Sequence, residues 1–183
     1  MKYQLDITLS DEDYLQFNYF QQFQTKQGKK LILILRLLVT IIIALTTISG
    51  IFAYDWPFYL IFIALLAVFC AVYHLFLLKR TLKTILKKHI MKLKNSGKLP
   101  YDSVSRLEFH KDKIVEITDS SRIEKNYVAV ERVCVVDDQY IYVYTSAVSA
   151  YILPISQLKE QVNQAEFLDF LSQKCPCVEY CKA

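Results

Sequence analysis

The side chains best suited to chemistry stand near the C-terminus, where Cys175-Pro-Cys177 and Cys181 place three soft donors within seven residues. Thiolates at such spacing bind thiophilic metals, yet a closed structural site wants four ligands, and no further Cys or His stands nearby. The stretch reads either as a metal or redox tract or as a plain terminal tail, and neither metal nor cofactor is assigned to it. Cys70, inside an apolar run, and Cys134, inside an expected strand, read as small buried hydrophobes of a reducing compartment. His74 lies within the second apolar run, where an ionisable group is costly and often functional. A backbone carbonyl or headgroup water near the end of that run would satisfy it equally well. His89 and His110 have no acid at a useful spacing, and Asp137-Asp138 reads as a hairpin turn. With Gly28, Gly50 and Gly97 as its glycines, the chain has no phosphate-cradling loop, and it carries no HExxH, nucleophile elbow or Walker motif. No catalytic residue follows, and the chain does not read as an enzyme.

The remaining chemistry is electrostatic. Lys79 to Lys98 holds eight Lys or Arg and no acid, whereas Tyr101 to Ala183 has nine bases against thirteen acids. Lys79, Arg80, Lys83, Lys87, Lys88 and Lys92 are thus the candidates for contact with anionic lipid, each worth ~1 kcal/mol near a charged leaflet. Setting membrane topology is the plainer use of the same charges. A nucleic-acid reader would carry its positive stripe on the folded domain, so nucleic acid is not the expected partner.

What positions these charges is a pair of apolar runs, Leu31 to Tyr54 and Pro57 to Leu78, separated by little more than Asp55-Trp56. As a helix the second would extend roughly 33 Å, against a hydrocarbon core of ~30 Å. The first spans ~27 Å from Leu37 to Tyr54 if Arg36 snorkels to the headgroups. The two form an expected transmembrane hairpin over residues 31–78. Lys26, Lys29, Lys30 and Arg36 flank one end, Lys79, Arg80, Lys83, Lys87 and Lys88 flank the other, and the turn has no base. The positive-inside bias then makes both termini cytoplasmic in a multi-pass protein of the cell membrane. A cleaved signal peptide does not fit, because the first thirty residues are polar and acidic and the apolar run begins late.

Residues 1–30 supply a strand and a helix. Tyr3, Leu5, Ile7 and Leu9 alternate with Gln4, Asp6 and Thr8, which is the period of a half-buried strand that needs partners beyond the hairpin. Ser10 to Asp13 makes a capping-box start for a helix to about Gln24, with Gln27-Gly28 as the break before the membrane. Its aromatic stripe, Tyr14, Phe17, Tyr19, Phe20 and Phe23, suits either a helix lying on the bilayer or one packed on the cytoplasmic domain. Residues 79–99 form a basic juxtamembrane helix ended by Asn95 to Lys98 and Pro100.

From Val104 the period switches to two. Strands are expected over 104–109, 113–118, 122–128, 130–136, 140–145 and 150–153, with turn-like separators and Pro154 closing the last. Glu166 to Leu171 marks a C-terminal amphipathic helix. Residues 100–174 are therefore a cytoplasmic β domain, and 175–183 a Cys-containing tail. Fold class is α+β: a two-helix hairpin, an antiparallel sheet or partly open barrel of about seven strands including the N-terminal one, and a terminal helix.

The order of parts resembles the YcxB-like family of bacterial membrane proteins. The likeness rests on LSDEDYLQF after a short strand, two spans, YDSVSRLEFHKDKIVEIT, VERVCVVDDQYIYVYTSAVSAYILPISQL and a closing EFLDFL, and it covers nearly the whole chain. Ile155-Ser156-Gln157 follows the proline where members of that family often carry a base. The resemblance implies a cytoplasmic fold similar to bacterial pleckstrin-homology-like domains and little chemistry. Its expected role is a non-enzymatic, membrane-anchored module binding a protein or a lipid headgroup, for which strand addition at an open edge is one mode. The rival is a transport- or channel-associated component, which two spans could form only as a homo-oligomer.

Overall fold

The computed structural model describes residues 2–51, 56–73, 78–96 and 103–181. Their order is β1 (Tyr3–Thr8), α1 (Asp11–Phe23), α2 (Lys26–Ile51), α3 (Trp56–Val72), α4 (Leu78–Asn95), β2 (Val104–Phe109), β3 (Lys113–Ile117) and β4 (Arg122–Asn126). A 3-10 turn at Tyr127–Ala129 leads into β5 (Arg132–Val136), β6 (Tyr140–Tyr144), β7 (Ala150–Pro154), α5 (Ile155–Gln161), α6 (Gln164–Lys174) and β8 (Val178–Cys181). The class is mixed α+β, as expected. The strands do not form one meander, however: among the described residues they divide into two four-stranded sheets, β1-β2-β3-β4 and β7-β6-β5-β8.

β1 joins the first sheet as its alternation requires. It pairs antiparallel with β2, setting Leu5 opposite Leu107 and Ile7 opposite Ser105. Leu5, Ile7, Leu107, Phe109 and Ile114 form one core with Val133, Val135, Ile141, Val143 and Leu153 of the second sheet and with Phe167, Phe170 and Leu171 of α6. Phe167 is its hub, edge-on to Tyr3 at 5.4 Å and to Phe109 at 5.0 Å between ring centroids. The outer edge of β1 is not left bare. Gln161 and Gln157 of α5 accept from the backbone N–H groups of Asp6 (2.8 Å) and Thr8 (2.9 Å) and donate to the same residues' carbonyls, so two side-chain amides occupy the place of a further strand.

The second sheet is buried on both faces. On its outer face Phe17 and Phe20 of α1 cluster with Cys134, Val136, Tyr142, Tyr144 and Ile152. Phe17 meets Tyr142 edge-on at 5.2 Å. The expected capping box is present: Asp13 N–H donates to Ser10 Oγ (3.2 Å) and Ser10 N–H to Asp13 Oδ2 (2.8 Å). The other carboxylate oxygen of Asp13 accepts from Tyr140 Oη at 2.8 Å, so one side chain both starts the helix and ties it to β6. Phe17 and Phe20 of the aromatic stripe, with Tyr14, are therefore a packing surface on the second sheet, whereas Tyr19 packs against Phe23 and faces Lys83 of α4. Asp137 and Asp138 adopt φ of 44° and 52°, and Gln139 N–H donates to Val136 O at 2.9 Å. The two left-handed residues make a turn of the mirror-image type within the three-residue connection Asp137 to Gln139, which tolerates Asp and accounts for this carboxylate pair.

α1 and α2 meet at a tight corner. Thr25 caps α2, its Oγ1 accepting from Gly28 N–H (3.0 Å) and donating to Gln21 O (2.6 Å). The break expected at Gln27-Gly28 falls instead at Gln24-Thr25, and Gly28 lies inside α2. A Cβ at Gly28 would run into the carbonyl oxygens of Gln21 and Gln22. In an open helix Gly→Ala adds up to ~1 kcal/mol of stability, so the sign of this substitution is diagnostic. Gly28→Ala is expected to destabilise by ~1–3 kcal/mol through overpacking, read as a lower Tm of the detergent-solubilised chain; an unchanged or higher Tm would mean that the corner opens freely.

α2 is long and apolar enough over Lys26–Ser49 to cross a membrane, and none of its apolar window is buried against the rest of the chain. α3 packs beside it, Tyr59 Oη donating to the carbonyl of Thr47. Ile61, Phe62, Leu65, Val68 and Phe69 are more than half exposed. The described apolar stretch of α3, Ile61–Cys70, is shorter than a full span. The expected second span continues through residues 74–77, which with the turn residue Asp55 lie outside the described residues.

Candidate functional site

α4 carries the expected basic surface. Ile90 is buried, and Leu82, Leu86 and Leu93 are partly buried at helical spacing on the same side, which packs against α1. Lys94 Nζ pairs with Asp11 Oδ2 at 2.6 Å, and Lys83 Nζ stands 5.6 Å from the ring centroid of Tyr19. These two contacts make the helices antiparallel. They also divide the bases into two groups. Lys83 is drawn onto α1, whereas Lys87, Lys88 and Lys92 line a shallow patch with Thr84, Met91 and Asn95 on the opposite side. Arg80 is exposed at the start of the helix, and the side chain of Lys79 lies outside the described residues. The charges thus share one helix without forming one cluster.

The histidines supply no catalytic set among the described residues. His89 is exposed on α4, and His74 lies outside the described residues. His110 has an acidic partner that its spacing did not suggest: its Nε2 stands 3.2 Å from Glu108 Oε2, two residues earlier. His110 O also accepts from Tyr127 Oη at 3.0 Å, so the residue braces the β2–β3 turn.

The tail cysteines are not a frayed terminus. β8 lies parallel to β5, with Cys134 opposite Glu179 and Val136 opposite Cys181. Cys175 turns into the inter-sheet core, away from the others. Cys134, expected only as a buried hydrophobe, stands with Glu179 and Cys181, their ligand atoms all within 4.8 Å of one another. Its Sγ is 3.9 Å from Glu179 Oε2, across 45 residues of chain. Burial pushes the Cys134 thiol up to about 12 and also raises Cys181. Nucleophilic cysteines need the opposite shift, so neither thiol is poised for attack.

A cavity of about 370 Å³ opens between the sheets, with Ser105, Lys125, Thr145 and Tyr151 in its wall. Lys125 Nζ donates to Thr145 Oγ1 at 2.9 Å, and the buried hydroxyl of Tyr151 has no hydrogen-bond partner. Burial raises Tyr151 to about 12 and pushes Tyr127, Tyr142 and Tyr144 above the ordinary tyrosine value as well. A raised folded-state pKa gives stability that is whole below the unfolded value of ~10 and is lost as pH climbs through the folded one. Stability against urea is therefore expected to fall steeply above pH ~10, by up to ~1.4 kcal/mol per pH unit for each buried tyrosine. A stability flat from pH ~9 to ~11.5 would contradict it.

Nothing in these arrangements joins a nucleophile to a base or gathers donors around a reacting centre. No family model, no curated protein and no solved structure matches the chain.

Proposed function

We propose that the chain is a two-span protein of the bacterial cell membrane with both termini cytoplasmic. Its β module is a non-catalytic, pleckstrin-homology-like interaction unit held against the anionic leaflet, as in the YcxB-like family it resembles. The observation that carries this reading is the junction of α1 and α2. An apolar helix with no buried window is joined through the Thr25–Gly28 corner to a helix that is itself packed on the second sheet. Such a helix finds no cover within the chain, and lipid is the medium that would cover it. The corner then holds the module at the membrane surface. The outward bases of α4 supply the attraction: Lys87, Lys88 and Lys92 stand exposed beside a module with more acids than bases.

Topology and charge are tested together. Impermeant thiol labelling of intact cells should modify Asp55→Cys in the turn and leave the native Cys177 untouched; labelling of Cys177 would overturn the orientation. In vesicle-association assays at increasing salt, Lys83, Lys87, Lys88 and Lys92 exchanged for Arg should behave as the parent, because charge and not shape is read. The same four exchanged for Gln should bind anionic vesicles more weakly. A Gln variant equal to the parent in both topology and binding would leave α4 with neither role.

A further inference from the structure

We propose that Cys134, Glu179 and Cys181 form a binding site for a thiophilic divalent ion of the zinc class, on the outer face of the second sheet. The argument begins with the period of a strand. Glu179 and Cys181 occupy alternate positions of β8, so the strand directs both to one face, and Cys177 immediately precedes it. Pairing of β8 with β5 sets Cys134 directly opposite Glu179 and diagonal to Cys181 on that face. The donor atoms of Cys134, Glu179 and Cys181 then lie within 4.8 Å of one another. A tetrahedral ion with sulfur at ~2.3 Å and oxygen at ~2.0–2.2 Å needs donors roughly 3.5–3.8 Å apart. Small side-chain rotations close that gap. Cys177 Sγ stands 3.8 Å from the other carboxylate oxygen of Glu179, but it is outside the set whose donor atoms all approach one another within 4.8 Å, and four residues of extended chain set its backbone ~13 Å from that of Cys181.

Donor chemistry selects the ion. Two thiols with one carboxylate suit Zn²⁺ and its Co²⁺ substitute, whereas Mg²⁺ and Ca²⁺ prefer oxygen alone. Binding replaces two S–H bonds by two metal–sulfur bonds: M²⁺, two thiols and one carboxylate give a complex of net charge −1 and release two protons. Three protein ligands leave the fourth position to water. A disulfide between Cys134 and Cys181 would give Glu179 no part. The ion would clamp β8, the last strand described, to β5.

The test uses the full chain in detergent, reduced and freed of metal. Titration with Co²⁺ should give one ion per chain, a thiolate-to-cobalt charge-transfer band set by two sulfurs, tetrahedral visible bands and release of two protons; Zn²⁺ should displace it. Cys181→Ser should weaken Co²⁺ binding by more than the ~10–100-fold that losing an outer-shell partner costs. Glu179→Gln, on the exposed edge, keeps the test informative if Cys181→Ser misfolds: it should weaken binding while retaining the charge-transfer band. Cys177→Ser should bind as the parent does. Absence of a charge-transfer band at one equivalent of Co²⁺, equal loss of binding in Cys177→Ser, or a Cys134–Cys181 disulfide in chain alkylated within intact cells would each overturn the site.

Discussion

Replacing Leu5 and Ile7 together by Asp is expected to leave the β module unfolded. The two side chains are 0 % and 1 % exposed in the inter-sheet core. Losing their burial removes ~1.5–3 kcal/mol each. Every new carboxylate must then be protonated or buried without a partner, a further cost of several kcal/mol. Together these are comparable to the whole ~5–15 kcal/mol by which a domain is stable. Far-UV circular dichroism and the loss of a cooperative melt would report the collapse. Thr8→Asp, on the exposed face of the same strand, serves as control and should melt close to the parent. A double variant that melts like the parent would show that β1 is dispensable to the core and that its pairing with β2 carries no weight.

That strand was legible because only one of its faces is buried. Tyr3, Leu5, Ile7 and Leu9 alternate with polar residues, and a period of two follows directly. The same logic located β2 to β7, each within two residues, and made Asp137-Asp138 a turn. What it missed is which faces are buried where a second layer intervenes. In β5, β6 and β7 four consecutive positions of each are buried, because α1 covers the outer face and α6 with the first sheet covers the inner. Tyrosines at 142 and 144 hid this: their hydroxyls suggest a wet face, yet their rings lie under Phe17. Near-continuous burial is the mark of a sheet packed on both sides, and the chain that covers it stands more than a hundred residues earlier in sequence.

β8 was out of reach for a different reason. A parallel pair has no hairpin turn to announce it, and Val178 to Cys181 is four residues long after a proline. The ligand cluster inherits that blindness. Cys181 and Glu179 are visible as a short polar tail, but Cys134 belongs to a strand read as wholly structural, and only the β5–β8 register brings them together. α5 was hidden for a similar reason. Pro154 closes β7 and at once serves as the N-cap of a seven-residue helix, too short to show a period. The basic helix needed no such long-range information. Eight bases without an acid are a local property of the chain, and the structure adds only which of them α1 engages.

Truncating Phe17 and Phe20 to Ala together is expected to lift α1 from the second sheet while leaving the inter-sheet core in place. Both rings are at least nine-tenths buried and stand against Tyr142 at 5.2 Å and 5.3 Å. Phe→Ala costs ~3–5 kcal/mol at a buried site, and the hydrogen bonds Tyr140–Asp13 and Tyr144–Gln21 that remain return only ~0.5–1.5 kcal/mol apiece. Docking therefore loses. The reduced, metal-free chain contains its own reporter, because Cys134 lies in the cluster beneath α1 and its thiol is held at about 12 by burial. Once α1 leaves, that thiol relaxes toward its ordinary value, the thiolate fraction at neutral pH rises, and a small alkylating reagent should modify Cys134 much faster. Amide exchange along β6 should stay slow, since Ile141 and Val143 remain in the other cluster. Cys134 reacting no faster would show that α1 is not what covers it. Fast exchange along β6 as well would show that the two clusters are one cooperative unit, so that the helix leading into the apolar segment and the sheet beneath it stand or fall together.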